Sequence, residues 1–191
     1  MVLIRTCPKS GTQYCARWFR ALGYNFAHED LKKDGGVGWN MSFKGPGPPR
    51  CLDNYKLQYK DFKHILHQVR NPLHTIQSLG GMDHLTINNV QKIIGPLPKP
   101  RILRGAQFWL KWNQMCSNPA QFTYKVEDLK PNTETTHKIA KLMNFDPNQV
   151  KQMPKRLGGK HETRIITLND ITDTTLKNQI AELATQYGYK I

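Results

Sequence analysis

A chain of 191 residues, 38% of them hydrophobic, is long enough to fold as one domain, residues 1–191, around its own core. Lys and Arg total 28 against 14 Asp and Glu, and the resulting formal net charge of +14 indicates an anionic ligand or partner. The charges are dispersed, without a long run of one sign, so the composition favours a folded basic protein and we do not expect a nucleic-acid partner.

The distribution of apolar residues and cysteines excludes further classes of protein. No apolar run approaches the roughly 18 residues of a membrane span, and the first residues lack a signal-peptide pattern. The cysteines, at positions 7, 15, 51 and 116, form no C-x-x-C pair and no spacing typical of a disulfide framework. We therefore expect a cytoplasmic protein with reduced thiols, no membrane span and no metal site, unless an upstream anchor has been removed.

Predicted strands and helices alternate along the chain. The apolar run Val2-Leu3-Ile4 predicts a short buried strand, and apolar residues at helical spacing from Cys15 to Leu22 predict the helix that follows it. In chain order, the predicted elements are strand 2–6, helix 12–22, strand 24–28, strand 62–69, helix 72–81, helices near 84–94 and 104–116, strand 122–127, helix 133–144 and helix 173–187. This alternation predicts an α/β fold, a three-layer α/β/α arrangement with a central parallel sheet that binds ligands at the carboxyl ends of its strands.

The loop between the first strand and the first helix is the most informative segment. It reads Pro8-Lys9-Ser10-Gly11-Thr12, and its backbone N–H groups, together with the positive end of the helix, predict a phosphate site. The phosphate loop of nucleotide kinases is G-x-x-x-x-G-K-[ST], whereas here Lys9 precedes Gly11 and no Gly precedes Lys9. A plain strand-to-helix turn with a surface Lys is the alternative.

A second candidate anion site follows the strand at 62–69. Asn71 is a favourable N-cap and Pro72 a favourable first helical residue, so Arg70 is expected at the carboxyl end of the strand. Ser78 follows Asn71 by about two helical turns, which returns it to the face of the cap, where it can share a phosphate with Arg70. The alternative is a structural Arg and a solvated Ser.

Four segments of the chain carry a family resemblance. Residues 8–14, PKSGTQY, closely resemble the PKSGTTW loop of sulfotransferases that use 3′-phosphoadenosine 5′-phosphosulfate (PAPS). Residues 62–78 resemble the 3′-phosphate segment of that family, and residues 122–129 resemble its Y-E-D-L segment, which we interpret as scaffold. Residues 155–160, KRLGGK, resemble more weakly the loop that closes over the 3′-phosphate. The resemblance implies a short member of the family, with its P-loop NTPase-like sulfotransferase fold.

The resemblance also implies a role for individual residues. Lys9 would contact the bridging or sulfonate oxygens and act as the charge sink for the leaving group. The other implied donor-binding residues are Ser10, Gly11, Thr12 and Gln13 at the 5′-phosphate, Tyr14 in place of an adenine-stacking Trp, and Arg70, Ser78, Arg156 and Gly158, with Lys160 as a weaker candidate, at the 3′-phosphate.

The resemblance also implies that the base that takes the proton of the acceptor lies after the second strand, which here is the segment Phe26-Ala27-His28-Glu29. Either His28, which titrates near neutrality, or Glu29, if burial tunes it, is a candidate. His28 as a donor to the acceptor, oriented by Glu29, and a merely solvated strand end are the alternatives.

Together these features predict transfer of a sulfuryl group from PAPS to a hydroxyl, or an amine, of an acceptor, which leaves adenosine 3′,5′-bisphosphate. No metal is required, because the transferred sulfonate carries little charge. A glycan, a tyrosine, a lipid and a small molecule are all open as acceptors. A P-loop kinase of small molecules and a non-catalytic basic polyanion-binding protein are the rival interpretations.

Overall fold

The structure, a computed structural model, describes residues 1–43, 51–149 and 166–191. In these ranges five strands form one sheet in the order β2-β3-β1-β4-β5, and each pair of neighbours is parallel. The strands are β1 Val2–Thr6, β2 Phe26–His28, β3 Gly35–Gly38, β4 His64–Val69 and β5 Thr123–Lys125. All carboxyl ends therefore meet at one edge of the sheet.

The α-helices of the described ranges are α1 Thr12–Ala21, α2 Pro72–Gly80, α3 His84–Ile94, α4 Arg101–Ser117, α5 Glu134–Met143 and α6 Thr174–Gln186. Short 3₁₀ turns at Leu52–Tyr55, Tyr59–Asp61, Val126–Asp128, Pro147–Gln149 and Leu168–Asp170 connect them. Within the described part of the chain, no helix has both the length and the apolar character that crossing a bilayer requires.

Helices cover both faces of the sheet. The side chains of a strand alternate between the two faces, so residues of the strands contact helices on both sides. On one face Ile4 and its β4 partner Leu66 pack in an apolar cluster with α1 and α5. On the other face Trp112 of α4 donates from Nε1 to the carbonyl of Thr6 at 3.1 Å, and α4 also packs with α2 and α6. The α/β architecture and the all-parallel sheet predicted from the sequence are confirmed.

The predicted elements are present with modest shifts of their ends, and one strand was missed. The predicted strand 122–127 ends at Lys125, where the chain turns into a 3₁₀ helix, and the helix predicted near 104–116 begins earlier, at Arg101. The missed strand, β3, lies between β2 and β1 and reads Gly-Gly-Val-Gly. It has no apolar alternation, because a Cβ at Gly36 would lie 2.1 Å from the carbonyl oxygen of Asp30.

Two buried polar side chains tie the sheet to α4. Arg5 is 1% exposed and donates to the carbonyls of Met115 at 2.9 Å and Cys116 at 3.2 Å, at the negative end of that helix. His67, its neighbour in β4, lies 3.1 Å through Nε2 from Oδ1 of Asn113. Burial lowers the pKa of His67 to about 3, so its ring stays neutral at neutral pH.

Candidate functional site

The loop from β1 to α1 has the backbone geometry of an anion site. Lys9 (φ 64°) and Gly11 (φ 83°) are both left-handed, and Lys9 is exposed while Ser10 is fully buried. Gly11 is the N-cap of α1 and has no side chain, so the N-cap residue makes no side-chain hydrogen bond to the N–H groups of the first turn. Ser10 Oγ is also buried without a hydrogen-bond partner among the described residues. Such unpaired donors suit an anion.

A chain of buried hydrogen bonds holds this loop against β4 and β5. Gln68 donates from Nε2 to the carbonyl of Ser10 at 2.8 Å, and its Oε1 accepts from the Tyr124 hydroxyl at 3.0 Å. Burial raises the pKa of Tyr124 well above its usual value, so the hydroxyl remains a donor. Sequence reasoning did not single out Gln68; a polar residue inside an apolar strand was the available signal.

Arg70 lies at the same loop. Its Nη1 donates to the carbonyl of Lys9 at 3.0 Å, which brings the second candidate anion site to the first. Asn71 is the N-cap of α2, with its side chain accepting from His74 N, and Pro72 begins the helix, so both predictions of local structure are confirmed. Ser78 is exposed on α2 and donates to the carbonyl of His74 at 3.1 Å. A phosphate shared by Ser78 and Arg70 stays a prediction.

The two base candidates also reach the loop. His28 Nε2 lies 2.8 Å from Oγ1 of Thr12, the first residue of α1, and 3.7 Å from Glu29 Oε1. Trp39 donates from Nε1 to the same Glu29 oxygen at 3.0 Å. Burial lowers the pKa of His28, although the Glu29 charge opposes this and Arg20 adds to it. The imidazole is therefore predominantly neutral at neutral pH.

Two further predicted residues, Tyr14 and Gln13, lie in the first turn of α1. Tyr14 is half-buried beside the apolar cluster under α1, and its hydroxyl donates to the carbonyl of Leu129 at 2.9 Å. Gln13 is exposed. Arg156, Gly158 and Lys160 lie outside the described residues.

Glu127 belongs to the site edge, although its segment was interpreted as scaffold. Its Oε1 accepts from Asn71 N at 3.1 Å, and its Oε2 accepts from the Tyr189 hydroxyl at 2.8 Å. The Glu of the Y-E-D-L-like segment was visible in the sequence. Its link to the last residues of the chain was not.

Neither family models, nor curated proteins, nor solved structures yielded a match to this chain. Within the described ranges, no group of three or more His, Cys, Asp or Glu side chains is placed to hold a metal ion. The geometry of the site and the resemblance of its segments are therefore what indicates a function.

Proposed function

We propose that this protein is a PAPS-dependent sulfotransferase that modifies a hydroxyl or amine of its acceptor. One observation carries the proposal: the Arg70 guanidinium donates to the carbonyl of Lys9. These residues stand 61 positions apart, and each belongs to a different segment that resembles the family. Their contact supports a single ligand that has two anionic groups, one bound by each segment.

The residues at the loop fit the anionic end of such a donor. The uncapped first turn of α1 offers N–H groups, Ser10 Oγ is a buried donor without a partner among the described residues, and Lys9 adds an exposed cation. Arg70 would hold the phosphate on the ribose, because Nη1 donates to Lys9 while the guanidinium has further N–H donors. When bound, PAPS supplies the activated sulfuryl group.

Residues at the carboxyl edge of the sheet stabilise the negative charge that develops during transfer and accept the proton of the acceptor. Lys9 stabilises negative charge that develops at the loop, because a cation beside a developing anion is favoured more as the charge grows. His28 lies at the loop, within hydrogen-bond distance of Thr12. Because its imidazole is neutral, it can accept the proton of an acceptor hydroxyl. Glu29, held by Trp39, stabilises the imidazolium from 3.7 Å.

Calorimetry with adenosine 3′,5′-bisphosphate and with ATP, each with and without Mg²⁺, tests the proposal. We expect metal-independent binding of the bisphosphate and a loss of about 10- to 100-fold in affinity in Arg70→Ala, the range for a charge-assisted phosphate contact. Lys63→Ala is the control, because it also removes one cation, but Lys63 is exposed and lies just before β4, at the amino edge of the sheet.

The outcomes separate the rival interpretations. A preference for ATP with Mg²⁺ would support a small-molecule kinase instead. Failure to bind either nucleotide would support a basic polyanion-binding protein. An equal loss of affinity in Lys63→Ala and Arg70→Ala would show that only net charge matters, and it would contradict the assigned site.

A further inference from the structure

Glu127 joins the C-terminal segment to the turn that carries Arg70. Its two carboxylate oxygens each accept one hydrogen bond, from the backbone N–H of Asn71 at 3.1 Å and from the hydroxyl of Tyr189 at 2.8 Å. Asn71 directly follows Arg70 and caps α2. The carboxylate therefore lies beside the turn of the second anion site, and each of its oxygens accepts one hydrogen bond.

Tyr189 is held firmly in this position. Lys125 places Nζ 5.5 Å from the centre of the Tyr189 ring and 3.4 Å from the carbonyl of Gly188. Burial and the neighbouring Glu127 charge raise the pKa of Tyr189 far above its ordinary value. Its hydroxyl consequently remains a neutral donor at neutral pH.

A carboxylate this close to an anion site is a potential competitor for the arginine. Arg70 directly precedes Asn71, whose backbone N–H donates to Glu127, and its charge opposes the rise of the Tyr189 pKa. Within the described part of the chain, however, Arg70 forms no ion pair with Glu127 and donates instead to Lys9. If Oε2 lost its hydrogen bond, the guanidinium of Arg70, next in the chain to Asn71, could take its place as a charged donor. A phosphate would then have to displace that carboxylate.

We propose that Tyr189 is a positioning residue for Arg70: its hydroxyl donates to Oε2 of Glu127, which keeps that carboxylate from capturing the guanidinium and leaves Arg70 directed at the Lys9 loop, available to an anion. The nature of that anion rests on the proposed function, but the positioning of Arg70 does not. The C-terminal segment thereby contributes to anion binding without touching the ligand.

Three variants isolate the effect. Tyr189→Phe removes one hydroxyl, frees the carboxylate and is expected to weaken binding of adenosine 3′,5′-bisphosphate by about tenfold. Glu127→Gln keeps an oxygen for the Asn71 N–H but has no charge, so it is expected to bind at least as tightly as wild type. The double variant is expected to match Glu127→Gln, because no carboxylate remains to capture Arg70.

Tyr187→Phe is the matched control. It makes the same substitution two residues earlier, where the ring packs on His67 and the hydroxyl donates to the carbonyl of Asn113 at 3.4 Å. These contacts lie on the face of the sheet that α4 and α6 cover, and not at its carboxyl edge. A loss of stability is expected there without a change in bisphosphate affinity.

Two measurements on the full chain keep the inference separate from the proposed function. The first is the NMR resonance of the Arg70 side-chain Nε–H without ligand, assigned with Arg70→Lys; it should shift in Tyr189→Phe and return in the double variant. The second is calorimetry with the bisphosphate. An unshifted resonance in Tyr189→Phe, or equal losses of affinity in Tyr189→Phe and the double variant, would overturn the inference. The expected resonances with no bisphosphate binding by wild type would instead refute the proposed function alone.

Discussion

Gly11→Ala tests whether the backbone of the loop is built for a ligand. Gly11 has φ +83°, and a Cβ there would lie 3.1 Å from Cγ2 of Val126. The left-handed conformation costs a residue with a side chain about 1–2 kcal/mol, and the close methyl contact adds to that cost. We therefore expect Gly11→Ala to lower the free energy of unfolding by roughly 2 kcal/mol, measured by urea unfolding followed by circular dichroism.

Gly23→Ala is the control for the backbone cost. Gly23 follows the other end of α1 with φ +87°, and a Cβ there would meet nothing within 4 Å. It should show the backbone cost of about 1–2 kcal/mol without the contact at Val126. Calorimetry should then separate the two variants, because only Gly11→Ala alters the N–H groups at the start of α1, and only that variant should lose bisphosphate affinity. Equal stability of Gly11→Ala and wild type, or equal affinity of both alanine variants, would refute this reasoning.

Three further predictions concern the pH dependence, α2 and the base. Because the folded pKa of His67 is about 3 against an ordinary 6.5, the unfolded chain binds a proton that the folded chain does not between these values. The contribution of His67 to stability is complete above pH 6.5 and falls as the pH is lowered. The unfolding constant rises by up to about tenfold per pH unit in this range. His67→Gln should therefore show a shallower dependence of stability on acid pH in urea titrations. Asn71→Ala should cost about 1 kcal/mol in unfolding free energy, since it removes the cap of α2; no change would contradict the cap. His28→Ala should lower turnover at saturating donor by about 100-fold or more. Glu29→Gln should lower it by less, because the amide oxygen can still accept the hydrogen bond from Trp39. Full turnover in both variants would exclude both residues as the base.

Strong local patterns predicted most of the fold. Apolar spacing from Cys15 to Phe19 predicted α1, and Asn71-Pro72 predicted the start of α2, because caps and periodicity act over a few residues. The glycine-rich β3 was missed because close backbone packing determines its composition, and no side-chain pattern reports that packing.

The site was predictable where parallel topology alone places residues. The carboxyl ends of β1, β2 and β4 share one edge, so the loop, His28 and Arg70 were expected there, and the structure places them there. The buried partners were not predictable, because Gln68 bonds the carbonyl of Ser10 and Tyr189 bonds Glu127 across 58 and 62 positions of the chain. Such pairs are set by tertiary packing.

According to the proposed function, the Lys9 loop and Arg70 bind opposite ends of one nucleotide. Its most direct test compares the affinities of adenosine 3′,5′-bisphosphate and adenosine 5′-monophosphate, for wild type and Arg70→Ala, without Mg²⁺. We predict that wild type prefers the bisphosphate by about tenfold or more and that Arg70→Ala binds the two nucleotides equally. Equal binding by wild type, or an undiminished preference in Arg70→Ala, would contradict the claim.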